Sequence, residues 1–278
     1  MEGNYCYKFS TIRNYLRLKD QPQPSRLIDV GANIGDMSLM MHEYFPEARI
    51  VAFEPVLEYF SRARERTREV PQIAVHHYAA THQHLFADDL GTCPRHKPTA
   101  LTILKGLPAA GPGWIGGSQV LADDDQRITA TVDERFQKLD IQPKPITLEG
   151  IFELSGFDEI DVLKIDCEGC EHSLIGSASE KALRRVRFIA GEYHGIRRFY
   201  DVMHEKLFKT HKVNLIGDKD LGAFFAERLE GKRDGILRYN KQGMLQLRPW
   251  LCDIPIEWHL FNEKYVLPED RHWHALPA

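Results

Sequence analysis

Residues 26 to 38 read RLIDVGANIGDMS, and the join between the apolar half and the glycine half decides the fold. RLIDVG at 26–31 is a short apolar run that stops on Gly31, the mark of a strand buried on both faces inside a parallel sheet. DMSLMMHEYF at 36–45 follows with helical spacing and is closed by Pro46, which cannot continue a helix. The unit then recurs. RIVAFE at 49–54 reads as a second buried strand, VLEYFSRARERTREV at 56–70 as a second helix with an Arg/Glu-rich outer face, and QIAVHHYAA at 72–80 as a third strand. Strands alternating with helices at this interval predict right-handed βαβ units and a parallel sheet.

Further along, the pattern breaks between about 85 and 135, where CPRHKP, LPAAGPGWIGGS and the acidic ADDD run supply turn chemistry on a long excursion. It resumes with a short helix in ITLEGIFELSG at 146–156, a fourth buried strand in IDVLKID at 160–166, a helix at 171–184 and a fifth strand in RVRFIAGEYH at 185–194. A helix at 196–209 leads to KVNLIG at 212–217 and GAFFAERL at 222–229, an expected antiparallel closing pair. Before the first strand, YCYKFSTIRNYLRLKD predicts an amphipathic helix ended by QPQPS at 21–25. The expected organisation is a helical segment at 1–25, an α/β domain at 26–230 carrying the excursion, and an extension at 231–278 that is rich in Trp, Pro and His without periodicity.

A chain of 278 residues, 43% hydrophobic and 27% charged, buries a sizeable core without staples. Its net charge of −4 makes neither nucleic acid nor an anionic membrane surface an expected partner. No apolar run reaches the roughly 20 residues that span a bilayer, and MEGNYCYKFS lacks the features of a signal peptide, so a cytoplasmic location is expected. Homo-oligomerisation is left open. Cysteines at 6, 93, 167, 170 and 252 form no disulfide framework and are expected to be reduced thiols.

Chemistry is expected at the carboxyl ends of the strands, where open parallel sheets bind ligands. In DVGANIG, Gly31 and Gly35 lack the middle glycine of a dinucleotide G-x-G-x-x-G turn. The D-x-G-x-x-x-G form suits S-adenosylmethionine, whose amino-acid end needs polar partners rather than a phosphate cradle. Asp29, Gly31, Asn33, Gly35 and Ser38 are the candidate contacts. Glu54 ends the second strand, where a carboxylate accepts from both ribose hydroxyls, and Pro55 turns the chain into the next helix. The plain alternative for Glu54 is an N-terminal cap of that helix.

DCEGCEH at 166–172 has the spacing of a metal knuckle or a dithiol. A zinc knuckle needs four ligands, and the remaining Cys and His pairs are scattered at irregular spacings. Asp166 and Glu168 are the stronger candidates for function, Glu171 reads as a first-turn helix carboxylate, and His172 as helix surface.

Taken together, DVGANIGDMS, VAFEP, ITLEGI, DVLKIDCEGCEHSLIGS and FIAGEYHG resemble the successive motifs of the FkbM family of S-adenosylmethionine-dependent methyltransferases over roughly residues 26 to 230. The LKID-x-EG-x-E signature is its most specific part, and the family's small apolar residues at the x positions are here Cys167 and Cys170. The resemblance implies a Rossmann-like class I methyltransferase fold: a mostly parallel seven-stranded sheet with helices on both faces and an antiparallel closing strand. It also implies S-adenosyl-L-methionine as cofactor and methyl transfer to a hydroxyl of a small-molecule acceptor such as a sugar or polyketide.

That chemistry needs a base near the methyl group. GEYH at 191–194 ends the fifth strand, so His194 is the candidate base, with Asp166 or Glu192 orienting it. A solvent-facing strand end is the plain alternative for His194. A variant has Asp166, Glu192 and His194 holding a divalent cation, Mg2+ by preference for oxygen ligands. AATHQH at 79–84 lacks the acid that many enzymes of this fold place after the third strand to bind adenine, leaving Thr81, His82 or backbone. GPGWIGGS at 111–118, with Trp114, is the candidate lid. The competing readings are a nicotinamide-dependent oxidoreductase, disfavoured by the missing glycine and the missing Tyr-x-x-x-Lys pair, and a non-catalytic cofactor-fold binding protein.

Overall fold

A computed structural model of the chain describes residues 13, 16–17, 20–81, 101–106, 118–122, 136–139, 143–167, 169–194, 199, 202, 205–217 and 221–229. In chain order, β1 (Arg26–Val30), α1 (Asp36–Tyr44), β2 (Arg49–Phe53), α2 (Leu57–Thr67), β3 (Ile73–His76) and β4 (Tyr78–Ala80) form the first half. β5 (Leu101–Gly106), β6 (Ser118–Ala122), β7 (Phe136–Leu139) and β8 (Lys144–Ile146) follow. The second half holds α3 (Leu148–Ser155), β9 (Ile160–Ile165), α4 (Cys170–Ser177), α5 (Glu180–Leu183), β10 (Val186–His194), a 3-10 turn at Leu207–Lys209, β11 (His211–Gly217) and β12 (Leu221–Arg228).

The main sheet has seven strands in the order β11-β12-β10-β9-β1-β2-β3. β3, β2, β1, β9 and β10 run parallel, while β12 lies antiparallel between β10 and β11. Alternate residues of the central strands enter two cores. Ile28, Val51, Leu163 and Ile189 pack on the face covered by α3 and α4, while Leu27, Ile50, Val162 and Phe188 pack on the face covered by α1, with Met41 and Phe45. Such two-sided burial is why these strands read as continuous apolar runs. The expected α/β architecture, with its antiparallel closing strand, is the one observed.

Three expectations need correction. The third strand ends at His76, and Tyr78–Ala80 leaves the main sheet to pair in parallel with β8. Tertiary bonds impose the break: the His77 ring nitrogen lies 2.8 Å from the Pro55 carbonyl oxygen, and the Thr81 N–H donates to the Ile146 carbonyl at 2.9 Å. The excursion is also more ordered than its turn residues imply, since β5, β6 and β7 form a three-stranded antiparallel sheet in the order β6-β5-β7. Finally, the helix expected at 171–184 is two helices, because Ser179 accepts from the Ala182 N–H at 3.1 Å and so begins a new one. Residues 107–117, including Trp114 of the expected lid, and residues 230–278 lie outside the described residues.

Candidate functional site

The register of the central strands brings the candidate residues to one edge. Val30 pairs with both Phe53 and Ile165, so the residues that follow each strand, Gly31, Glu54 and Asp166, leave the sheet side by side. The Gly31 turn is fastened to both neighbours. The Gly31 and Ala32 N–H groups each donate to the Phe53 carbonyl at 3.0 Å, and the Asp166 N–H donates to the Val30 carbonyl at 3.0 Å. Gly31 sits at φ +79, in the left-handed region, and a Cβ there would overlap the Asp166 carbonyl oxygen. Only glycine satisfies both conditions. Asn33 (φ 49) and Gly35 (φ 90) complete the left-handed path into α1.

Glu54 clasps the turn to the next helix. Its Oε2 accepts from the Asn33 N–H and its Oε1 from the Val56 N–H, both at 2.8 Å. The capping alternative therefore holds in part, since Val56 immediately precedes α2. The carboxyl is buried, and desolvation pushes its pKa up to about 7 against the lowering effects of those two N–H groups and of Lys164. A carboxylate has about four acceptor positions, so two remain after these bonds. Pro55 is buried and gives its carbonyl to His77.

Asp29 and Ser38 lie beneath the turn. Both are fully buried, and the Ser38 hydroxyl donates to Asp29 Oδ2 at 2.6 Å. Asp29 Oδ1 forms an ion pair with Lys164 Nζ at 2.9 Å, both side chains being 0% exposed. The ammonium also donates to the carbonyl oxygens of Gly31 at 2.8 Å and Val30 at 3.3 Å. Burial acts to lower the Lys164 pKa, but the carboxylates of Asp29, Asp166 and Glu54 outweigh it and hold the group charged. Lys164 goes unassigned from sequence alone. Its signal was available: one lysine inside the apolar run IDVLKI, in register with the one aspartate inside RLIDV.

Asp166 is half-buried at the corner between β9 and α4. Glu192 is buried on β10 opposite Ala223, one residue beyond Gly191, which pairs with Ile165; this places it beside the Asp166 corner. His194 ends β10 opposite Leu221. The side chain of His194 and all of Glu168 lie outside the described residues, as do His82, Asp88 and Asp89. Thr81 is buried with its backbone pinned to Ile146.

Around DCEGCEH two expectations change. Cys167 and Cys170 are joined by a disulfide instead of being reduced thiols, because the chain folds into α4 at Cys170 and brings their Cα atoms within 5.4 Å. His172 is buried rather than on the helix surface: its ring meets Phe199 edge-on at 6.0 Å, and its Nε2 lies 3.3 Å from Glu171 Oε1. Glu171, in the first turn of α4, is also fully buried and accepts from the Gly169 N–H at 2.9 Å. Among the described residues no three His, Cys, Asp or Glu side chains gather as a metal-ligating group, and no helix is long and apolar enough to cross a membrane.

A seven-stranded sheet in this order, with a glycine turn after the first strand and an acid after the second, defines a class I methyltransferase fold. Residues 29–214 match the model of the Methyltransferase FkbM domain. The chain belongs to that family, and membership implies S-adenosylmethionine as methyl donor. It is 25% identical over 214 residues to Methyltransferase sdnD of Sordaria araneosa, covering 69% of this chain and 75% of that one. It is 28% identical over 196 residues to the AMB antimetabolite synthetase AmbE of Pseudomonas aeruginosa, covering 63% of this chain but spanning only 9% of the synthetase. Among solved structures, the precorrin-6y C5,15-methyltransferase of Geobacter metallireducens GS-15 aligns over 78% of this chain and 88% of its own, with 11% identity and a TM-score of 0.37.

The residues at the sheet edge fit the implied donor. Glycine at 31 lets the turn lie against the Asp166 carbonyl, which occupies the place a Cβ would take, and so brings Gly31, Glu54 and Asp166 together at one edge. The Glu54 carboxylate stands at the end of the adjacent strand, beside the Gly31 turn.

Proposed function

We propose that the chain is a methyltransferase acting on a hydroxyl oxygen of a small molecule, a sugar, polyketide or other natural product, with the donor seated over the Gly31 turn. The observation that supports the donor's seat is the convergence of the Gly31 turn, the Glu54 carboxylate and the Asp166 corner at one edge of the sheet. When bound, S-adenosylmethionine supplies an electrophilic methyl group on a sulfonium.

The chain's own residues have three tasks. Glu54 accepts from the ribose hydroxyls with the acceptor positions its backbone bonds leave over. Asp29 and Ser38, bonded to each other, hold the turn from beneath. His194 takes the acceptor's proton, with Asp166 or Glu192 orienting the ring, and an unperturbed imidazole pKa of about 6.5 suits that work at neutral pH. The Pseudomonas relative is an antimetabolite synthetase, which accords with a natural-product acceptor.

Incubation with isotopically labelled S-adenosylmethionine and a panel of hydroxyl, amine, thiol and activated-carbon acceptors, read by mass spectrometry, tests the assignment. Label on oxygen is expected, and its loss in His194→Ala with donor binding retained would support the base. Label confined to nitrogen, sulfur or carbon would contradict the hydroxyl assignment.

A further inference from the structure

Lys164 is the most deeply buried cation of the described sheet, yet stability alone gives no reason for it. A buried ion pair is often no better than two apolar side chains of similar volume, because desolvating both charges offsets their attraction. The ammonium does more than pair with Asp29. Gly31 leaves the sheet in a left-handed conformation, so its carbonyl oxygen turns out of the β1 ladder, and Lys164 Nζ is the donor that meets it at 2.8 Å. The same nitrogen reaches the Val30 carbonyl at 3.3 Å and Asp29 at 2.9 Å. Asp29 in turn is held by Ser38 on α1. One group thus joins β9, the turn and the first helix.

We propose that Lys164 is a positioning residue for the methyl donor: its buried ammonium ties the carbonyl oxygens of Val30 and Gly31 to the Asp29 carboxylate and so keeps the upper side of the turn preformed. The proposal rests on the reading of the Gly31 turn as the donor's seat. A second consequence follows from charge. Glu54 is faced by Asp29 on β1, Lys164 on β9 and Tyr59 on α2, with the His77 ring on the carbonyl of the adjoining Pro55. Of these, Lys164 is the cation that favours the ionised carboxyl. Removing it moves the ionisation of Glu54, and the pH at which ribose binding tightens, upward.

The test is titration of the full chain with S-adenosylhomocysteine by calorimetry across pH, in the wild type, in Lys164→Met and in a variant carrying both Asp29→Asn and Lys164→Met. The double variant removes both buried charges, so neither is left unpaired. The expected result for the double variant is a melting temperature close to wild type and a dissociation constant raised about tenfold or more, as for loss of one charge-assisted hydrogen bond, while Lys164→Met alone, which keeps Asp29, is expected to move the binding midpoint to higher pH. A double variant that folds and binds with the wild-type constant overturns the proposal and leaves the donor site standing. Wild-type protein that gives no heat overturns both. If the double variant unfolds, Lys164→Arg decides: it keeps the charge beside Asp29 but replaces the compact ammonium that serves both carbonyls. A raised dissociation constant there supports the proposal, and an unchanged one overturns it.

Discussion

Strands β1 and β9 carry one acid–base pair at each end, and the two are built in opposite ways. At the entry end, Asp161 accepts from the backbone N–H groups of Ser25 and Arg26 at 3.0 Å each and from the Arg26 guanidinium at 2.9 and 3.1 Å. The Arg26 side chain remains 34% exposed and that of Asp161 10%. Burial acts to raise the Asp161 pKa, but those donors outweigh it and hold the carboxyl below its ordinary value. At the exit end, Lys164 and Asp29 are wholly buried. The ammonium is shared among a carboxylate and two turn carbonyls, and the neighbouring Glu54 is pushed up to about 7. The clasp at the entry end buries its carboxylate but leaves its guanidinium partly in water. At the exit end the charges enter the core, where they hold the Gly31 turn at the edge proposed to seat the donor.

The contrast is sharpest in single substitutions. Lys164→Met leaves Asp29 buried without its cation, and urea unfolding is expected to show a loss of about 3–5 kcal/mol. Asp161→Asn keeps part of the hydrogen bonding and leaves Arg26 able to reach water, with an expected loss of about 1–3 kcal/mol. Equal losses at the two ends would erase the distinction.

The two ends also respond oppositely to pH. The folded-state pKa of Glu54 is raised from 4.5 to about 7, so between these values the folded chain holds a proton that the unfolded chain has released. Its contribution to stability therefore falls as pH rises through that window, by up to about 3 kcal/mol, and levels off above it. Glu54→Gln is expected to remove this slope in denaturant melts taken across the window. Asp161, with its pKa depressed, contributes stability that is present above its unfolded value of 3.8 and lost as pH falls through the lower folded value. Asp161→Asn is expected to flatten only the acid limb.

A smaller effect belongs to Cys167 and Cys170. Their bridge closes a loop of a few residues, so replacing both with alanine is expected to lower stability by no more than about 2 kcal/mol in thermal melts without reductant. Smallest of all is chelation. With His194 as base, exhaustive chelation and Mg2+ add-back are expected to leave methyl transfer unchanged, while activity that returns only with Mg2+ would move the proton-removal step to a cation.

Most of the sheet could be read from the chain because burial on both faces writes strands as apolar runs bounded by Gly or Pro. RLIDVG, RIVAFE and IDVLKID announce themselves in this way. The turn could be read too, since Gly31 and Gly35 mark positions other residues cannot occupy. What escaped depends on distant partners. Nothing in QIAVHHYAA states that His77 will be held by Pro55 and that Tyr78–Ala80 will pair with β8. The alternation in LTILKG was masked by the glycines and prolines around it. His172 was misplaced because a polar side chain one turn into a helix usually faces water, whereas here Phe199 and Glu171 enclose it. Lys164 was passed over as part of a signature, although a lone lysine in a strand otherwise buried throughout is an anomaly that asks for a carboxylate in register.

The central claim is that one adenosyl donor sits where the Gly31 turn, Glu54 and Asp166 meet. Calorimetric titration of S-adenosylhomocysteine into wild type and Gly31→Val, with circular dichroism confirming that both are folded, tests it most directly. We expect saturable heat for the wild type and none for the variant, whose added side chain would collide with the Asp166 carbonyl. Equal binding by both proteins, or no heat from the wild type, would contradict it.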